Sequence, residues 1–173
     1  MHHLRAILIL MSILGFVIYP TDMMAIESDL VIATKWSGDF DGMADRHLIR
    51  ALVPPSKTFY FLDRGRQRGI SYDLLREFEK FINKKLKTKT LKFRVLFIPV
   101  GRDQLIPWLI DGRGDIAVAN LTITPQRQSQ VDFSDPLISG VKELIVTGSS
   151  APPVKSIADL AGKEIHVRRS SSY

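Results

Sequence analysis

Cysteine is absent from all 173 residues. That one absence excludes disulfides, thiolate metal sites, a cysteine nucleophile and a lipidated cysteine, so the fold must hold by packing alone. Histidine is scarce, and its four copies lack ligand spacing: His2 and His3 stand together near the start, while His47 and His166 flank predicted strands far apart. No metal centre is expected from them, and no other cofactor is indicated. Tryptophan occurs twice, at Trp36 and Trp108; isolated rings of this kind read as packing residues rather than as sugar platforms. Long apolar runs are also missing. The stretch from Ala6 to Leu14, continuing through Gly15 to Tyr19, falls short of the ~20 residues a spanning helix needs. With Arg5 before it and Pro20 and Ala25 after it, residues 1–25 have the layout of a secretory signal. The chain is therefore expected to be exported, to the periplasm or cell envelope.

What is present is enough apolar material for a core, 45% of residues, which makes disorder the wrong description. The net charge is +6, and because Arg5 and Asp22 cancel, it belongs to the part after the leader. Arg64, Arg66 and Arg68 interleave with glycine in a predicted turn. Lys84, Lys85, Lys87, Lys89 and Lys92 crowd a predicted helix end, where cations complement the helix dipole and form a solvated face. Export and the lack of an aromatic-rich binding module argue against nucleic acid as a partner.

The periodicity alternates. A polar approach segment runs from Ile26 to Arg46, and Leu48 to Val53 is a short apolar run stopped by Pro54 and Pro55, a predicted strand. From Tyr72 to Leu86, Leu74, Leu75, Phe78, Phe81 and Ile82 fall on one helical stripe, with Ser71 as the expected N-cap. Leu91 to Val100 alternates as a second strand. Leu105, Ile106, Leu109 and Ile110 make a second helix ending at Gly112, a left-handed C-cap position. Ile116 to Leu121 is a third strand. This order predicts a parallel, doubly wound α/β sheet whose ligands sit at the carboxyl ends of strands. Val141 to Thr147 reads as a further strand, followed by a Ser, Ala and Pro boundary at Ser149 to Val154. A short helix at Ser156 to Leu160 and a strand at Glu164 to Val167 come last. So small a set cannot bury a core, and a second lobe over 148–173 is expected to be incomplete, after a first lobe over 26–147.

The chemistry concentrates after the third strand, in Asn120-Leu121-Thr122-Ile123-Thr124-Pro125-Gln126-Arg127 and Val131-Asp132-Phe133-Ser134-Asp135-Pro136. Thr124 before Pro125 is a strong helix start. Arg127 then falls in the first turn, unfavourably for the dipole, which calls for a partner anion. Thr122 and the Arg127 guanidinium could clamp a ligand carboxylate; equally, Arg127 could pair with Asp132 or Asp135 and fasten the turn. Other constellations carry less. Asp39, Asp41 and Gly42 lack the later ligands of a calcium loop, Arg113-Gly114-Asp115 sits between a helix cap and a strand, and no G-x-S-x-G elbow surrounds the terminal serines.

The run from Leu48 to Pro136 resembles the first lobe of the family 3 extracellular solute-binding proteins. Gly69-Ile70-Ser71-Tyr72-Asp73-Leu74 is similar to the family's G-F-D-x-D-L, Arg102-Asp103-Gln104-Leu105-Ile106-Pro107 to its W-D-x-L-I-P, and Leu121 to Arg127 to its S/L-x-T-x-E-R. Asp132-Phe133-Ser134-Asp135-Pro136 matches outright. The resemblance implies a two-lobed, type II periplasmic-binding-protein-like α/β fold that closes by a hinge on a small solute. It assigns the ligand carboxylate to Arg127, assistance to Thr122 and the Asn120 backbone, an aromatic cover to Phe59 or Tyr60, and second-lobe hydroxyls to Ser170, Ser171 and Ser172. Ser71, Gln126 and Asn120 depart from the pattern, where Asp, Glu and Gly are usual. Trp36 to Met43 and Thr58 to Gly65 further resemble the solute-binding half of proteins similar to membrane-bound lytic murein transglycosylase F. That implies an amino-acid or muropeptide-like ligand, with an ABC transporter permease or peptidoglycan as the larger partner. No catalytic residue is assigned; the rival reading makes the chain the regulatory front of a bifunctional lytic transglycosylase.

Overall fold

The computed structural model describes residues 34–142 and 144–168; the expected export signal and Ser170, Ser171 and Ser172 lie outside them. Helix α1 (Phe40–Asp45) leads into β1 (Leu48–Val53), and a hairpin of β2 (Phe61–Asp63) and β3 (Arg66–Arg68) precedes α2 (Ile70–Lys85). Then come β4 (Arg94–Pro99), α3 (Leu105–Ile110), β5 (Ile116–Ala117), α4 (Pro125–Gln128) and a 3-10 turn at Ile157–Leu160. All the described residues fall in one compact unit, 32–173.

Strand β1 is the centre of a parallel sheet ordered β4-β1-β5. It pairs with β4 from Leu48 opposite Arg94 to Val53 opposite Pro99, and with β5 through Ala51 opposite Ile116 and Leu52 opposite Ala117. Side chains alternate between the faces of a strand, and β1 uses both. Ile49, Ala51 and Val53 pack with Leu75 and Ile82 of α2 and with Phe93, Val95 and Tyr60. On the other face Leu52 packs with Ile98, Val100 and Leu105 of α3. A strand buried on both sides reads as a continuous apolar run, which is why Leu48 to Val53 was legible; burying each of its larger side chains contributes about 1.5–3 kcal/mol.

The exception on that strand is Arg50, which is 2% exposed. Its guanidinium meets the fully buried Asp115 carboxylate at 2.9 Å and donates to the carbonyls of Thr34, Trp36 and Gly112 at 2.6, 3.2 and 2.9 Å. Arg46 reaches the same carboxylate at 2.5 Å while lying 3.9 Å above the Trp36 ring. Burial, the largest single influence, pushes the Asp115 carboxyl up. Hydrogen bonds from the Arg50 side chain and backbone and from Arg46 together outweigh it and hold the group below the usual carboxylate value. Arg113-Gly114-Asp115 is thus internal framework, as its place between cap and strand implied.

Several expectations need correction. Helix α2 begins at Ile70 after Gly69, and Ser71 is buried inside its first turn rather than capping it. The capping is done by backbone: Ile70 N–H donates to the Thr58 carbonyl at 3.1 Å and Ser71 N–H to the Phe59 carbonyl at 2.9 Å. The helix buries Ser71, Leu75, Glu79 and Ile82, whereas Leu74, Phe78 and Phe81 of the apolar stripe stay exposed. Glu79 wins its buried place by accepting from Val95 N–H and Arg76 at 2.8 Å each, a tie between helix and sheet that hydrophobic spacing cannot show. Strand β5 is shorter than Ile116 to Leu121, although Val118 N–H still bonds the Leu52 carbonyl at 2.9 Å. Among the described residues of 141–147 and 164–167 there is no strand. Extended segments need a ladder partner, and these residues lie exposed outside both sheets. Helix α1 and the hairpin were not anticipated. The turn at Arg64 and Gly65 was; both take positive φ, 49° and 78°, the combination a two-residue hairpin turn requires.

Candidate functional site

The carboxyl ends of β4 and β5 lead into the two segments that carry the site. After β5, Thr124 takes an extended conformation and its hydroxyl accepts from Arg127 N–H at 3.3 Å, with Pro125 at the first helical position. The expected cap therefore forms, and it fixes the backbone from which Arg127 projects. The half-buried Arg127 side chain donates from Nη1 to the Thr122 carbonyl at 2.8 Å. Asp132 and Asp135, the residues of the turn-fastening alternative, are both exposed.

After β4, Arg102 folds back toward the β5 exit. Its Nη1 donates to Asn120 Oδ1 at 2.9 Å and its Nη2 to the Asn120 carbonyl at 2.5 Å. Burial lowers the pKa of this guanidinium, and the neighbouring charges of Arg168 and Arg127 lower it further. Arg102 and Arg127 both line an open hollow of about 320 Å³, with Asp103, Ile106, Leu121 and Gln126 among the other walls. Two guanidiniums in a partly desolvated recess repel one another, and an anion placed between them would relieve that repulsion.

The structure thus brings together only part of the expected set. Arg127 lines the hollow, whereas Thr122 and Asn120 are outside its lining and act through their carbonyls as anchors for the two arginines. Tyr60 is a core residue, 4% exposed, stacked 5.7 Å from Phe97. Burial, with the nearby Tyr72, raises its phenol pKa. That leaves Phe59, half-buried beside it, as the available aromatic. Ser171 and Ser172 lie outside the described residues. Arg102 was missed as a site residue, although its place immediately after a parallel strand was the available signal.

A parallel sheet between helices, with two arginines over a recess at its carboxyl ends, defines a binding domain of the α/β class. The model of the bacterial extracellular solute-binding proteins, family 3, matches residues 48–171, and the chain belongs to that family. Among curated relatives it is 30% identical over 125 residues to a membrane-bound lytic murein transglycosylase F of Desulfosudis oleivorans, covering 72% of this chain and 25% of that protein. It is 32% identical over 126 residues to the protein of the same name from Ectopseudomonas mendocina, covering 72% and 24%. The chain spans about a quarter of the length of these relatives. Solved structures similar to it include an ancestral amino acid-binding protein described as a precursor of cyclohexadienyl dehydratase, at 35% identity and TM-score 0.47, covering 56% of this chain and 39% of that one. Another is the arginine-bound form of domain 1 from TmArgBP, at 26% identity and TM-score 0.48, covering 59% and 74%.

Proposed function

We propose that this chain is an extracytoplasmic solute-binding and sensing module that takes a small carboxylate-bearing ligand, amino-acid-like or a cell-wall peptide, onto Arg127. The observation that carries the reading is Arg127 on the wall of an open hollow at the carboxyl ends of parallel strands, its side chain oriented by the Thr122 carbonyl. A guanidinium held in this way presents a planar fork to a carboxylate without first having to be ordered. Phe59 supplies an apolar cover, and the segment from 148 onward, with Ser171 and Ser172, closes over the bound solute about a hinge. The module binds and does not itself catalyse; export places it in the periplasm or envelope, where a permease or peptidoglycan is its larger partner.

Titration calorimetry with amino acids, short peptides and muropeptides tests this reading. Arg127→Ala should cost about 2–5 kcal/mol of binding free energy, because truncation removes one side of a charged pair, while the circular dichroism of the sheet stays intact. Equal affinity in the variant overturns the assignment. A second reading, the regulatory part of a peptidoglycan lytic transglycosylase, is favoured by the names of the curated relatives. Heat with muropeptides but none with free amino acids supports it, and the reverse pattern rejects it.

A further inference from the structure

We infer that the carboxyl-terminal end of α2 and the loop behind it form a docking face for an anionic phospholipid surface, lysines meeting the head groups and apolar side chains inserting between them. Three large apolar residues stand in solvent there, Phe81, Leu86 and Leu91, at 59%, 41% and 65% exposure. Lysines are interleaved with them at positions 84, 85, 87, 89 and 92, every one exposed. No Asp or Glu occurs between Glu79 and Asp103. Among the described residues, the lysines held in ion pairs are Lys35 and Lys80, so the five of this cluster keep their charge at the surface. Helix-dipole complementarity explains Lys84 and Lys85 in the last turn, but that effect fades within a turn. It does not explain Lys87, Lys89 and Lys92 beyond the helix end, nor the exposed apolar residues among them.

The loop is held in place. Asn83 accepts from Phe93 N–H at 2.8 Å and from the Thr88 hydroxyl at 2.6 Å, and donates to the Phe93 carbonyl at 3.0 Å. These bonds return Leu91 and Lys92 to the helix end that carries Lys84. Lys87 takes a left-handed φ of 50° just after the cap, where glycine fits without strain. Ile70, Leu74, Phe78 and Phe81 are also exposed and by their spacing fall on one line along α2. Asp73 and Glu77 stand beside the first half of that line, so its basic second half is the part that meets an anionic surface. The apolar side chains decide between kinds of partner. An anionic glycan polymer has no apolar interior to receive Phe81 and Leu91, whereas a bilayer interface takes both them and the lysines, whose aliphatic stems lie along the boundary. Lys85 Nζ lies 5.9 Å over the Phe81 ring, so cation and ring are presented together.

Flotation of the full chain with liposomes of phosphatidylcholine alone, or of an equal mixture with phosphatidylglycerol, tests the inference. Binding should need the anionic lipid and fall with added salt. Residues 1–33 are common to the wild type and the variants, so differences among these proteins report the patch. Lys85→Gln, Lys87→Gly and Lys89→Gln in one chain should weaken binding about a hundredfold, roughly fivefold per lysine. The melting temperature should not fall, because Lys87→Gly relieves the left-handed strain. Phe81→Ser with Leu91→Ser should weaken binding about tenfold or more while its salt dependence remains. Equal binding to neutral vesicles, or no vesicle binding by the wild type, overturns the inference, and so does full binding by the lysine variant. Loss in the lysine variant with none in the apolar one is the pattern of a charge-only site for an anionic polymer, and it overturns the inference too. None of these outcomes touches the solute-binding reading, which calorimetry with Arg127→Ala tests separately.

Discussion

Asp115 ties β1 to the segment before it through two arginines. Its carboxylate is fully buried between Arg50 and Arg46, and removing one partner of such a pair leaves the other charge uncompensated. Asp115→Asn keeps the shape and removes the charge, and should cost about 3–5 kcal/mol. Against a total stability of roughly 5–15 kcal/mol for a domain, that is enough to bring the midpoint of urea unfolding down steeply at neutral pH; an unchanged midpoint would contradict the role. The pH dependence follows from the depressed pKa of the folded state. The unfolded carboxyl titrates near about 3.9, so the contribution is fully present above that value and is lost as pH falls through the lower folded value. Urea titrations between pH 6 and about pH 2 should show this loss in the wild type and a shallower one in Asp115→Asn.

At the scale of elements, one joint is made by a glycine whose position would strain any other residue. Gly112 closes α3 with φ 69°, and a Cβ there would lie 2.7 Å from the Trp36 carbonyl oxygen. Its own carbonyl accepts from Trp36 N–H at 2.8 Å and from Arg50. Gly112→Ala should therefore destabilise by more than about 1 kcal/mol, read as a lower melting temperature; a neutral outcome would show that the 34–36 segment can shift without loss. Periodicity revealed α2 because it alternates an apolar and a polar face, and α3 was legible as a short apolar run closed at Gly112. It misjudged the seating of α2, because the line facing the sheet is set by the Glu79 bond to Val95 N–H rather than by apolar residues alone. The same limit applies to β5, whose length is fixed by where β1 stops offering carbonyls.

For the whole molecule, the described residues of 137–146 lie apart from the packed sheet. Leu137, Ile138, Val141, Leu144 and Val146 are each more than 70% exposed and lie outside helix and strand, whereas residues 48–117 contain the complete parallel sheet. Protease needs accessible, unpaired backbone. Brief thermolysin digestion should cut first within 137–146 and leave a fragment that keeps its α/β circular dichroism. A first cut inside 48–99, read by mass spectrometry, would mean the sheet is less stable than its burial indicates.

The amino-acid sequence by itself determined the α/β class, the family, the capped turn at Thr124 and Pro125, and Arg127 as the residue to watch, because each depends on local spacing or on short motifs read in order. Only the tertiary structure decided that Tyr60 belongs to the core and that Asn120 and Thr122 serve as anchors. It also decided that Arg102, 25 positions before Arg127 in the chain, shares its recess. These are outcomes of register and strand order, which bring together residues whose separation along the chain carries no trace of their proximity in space.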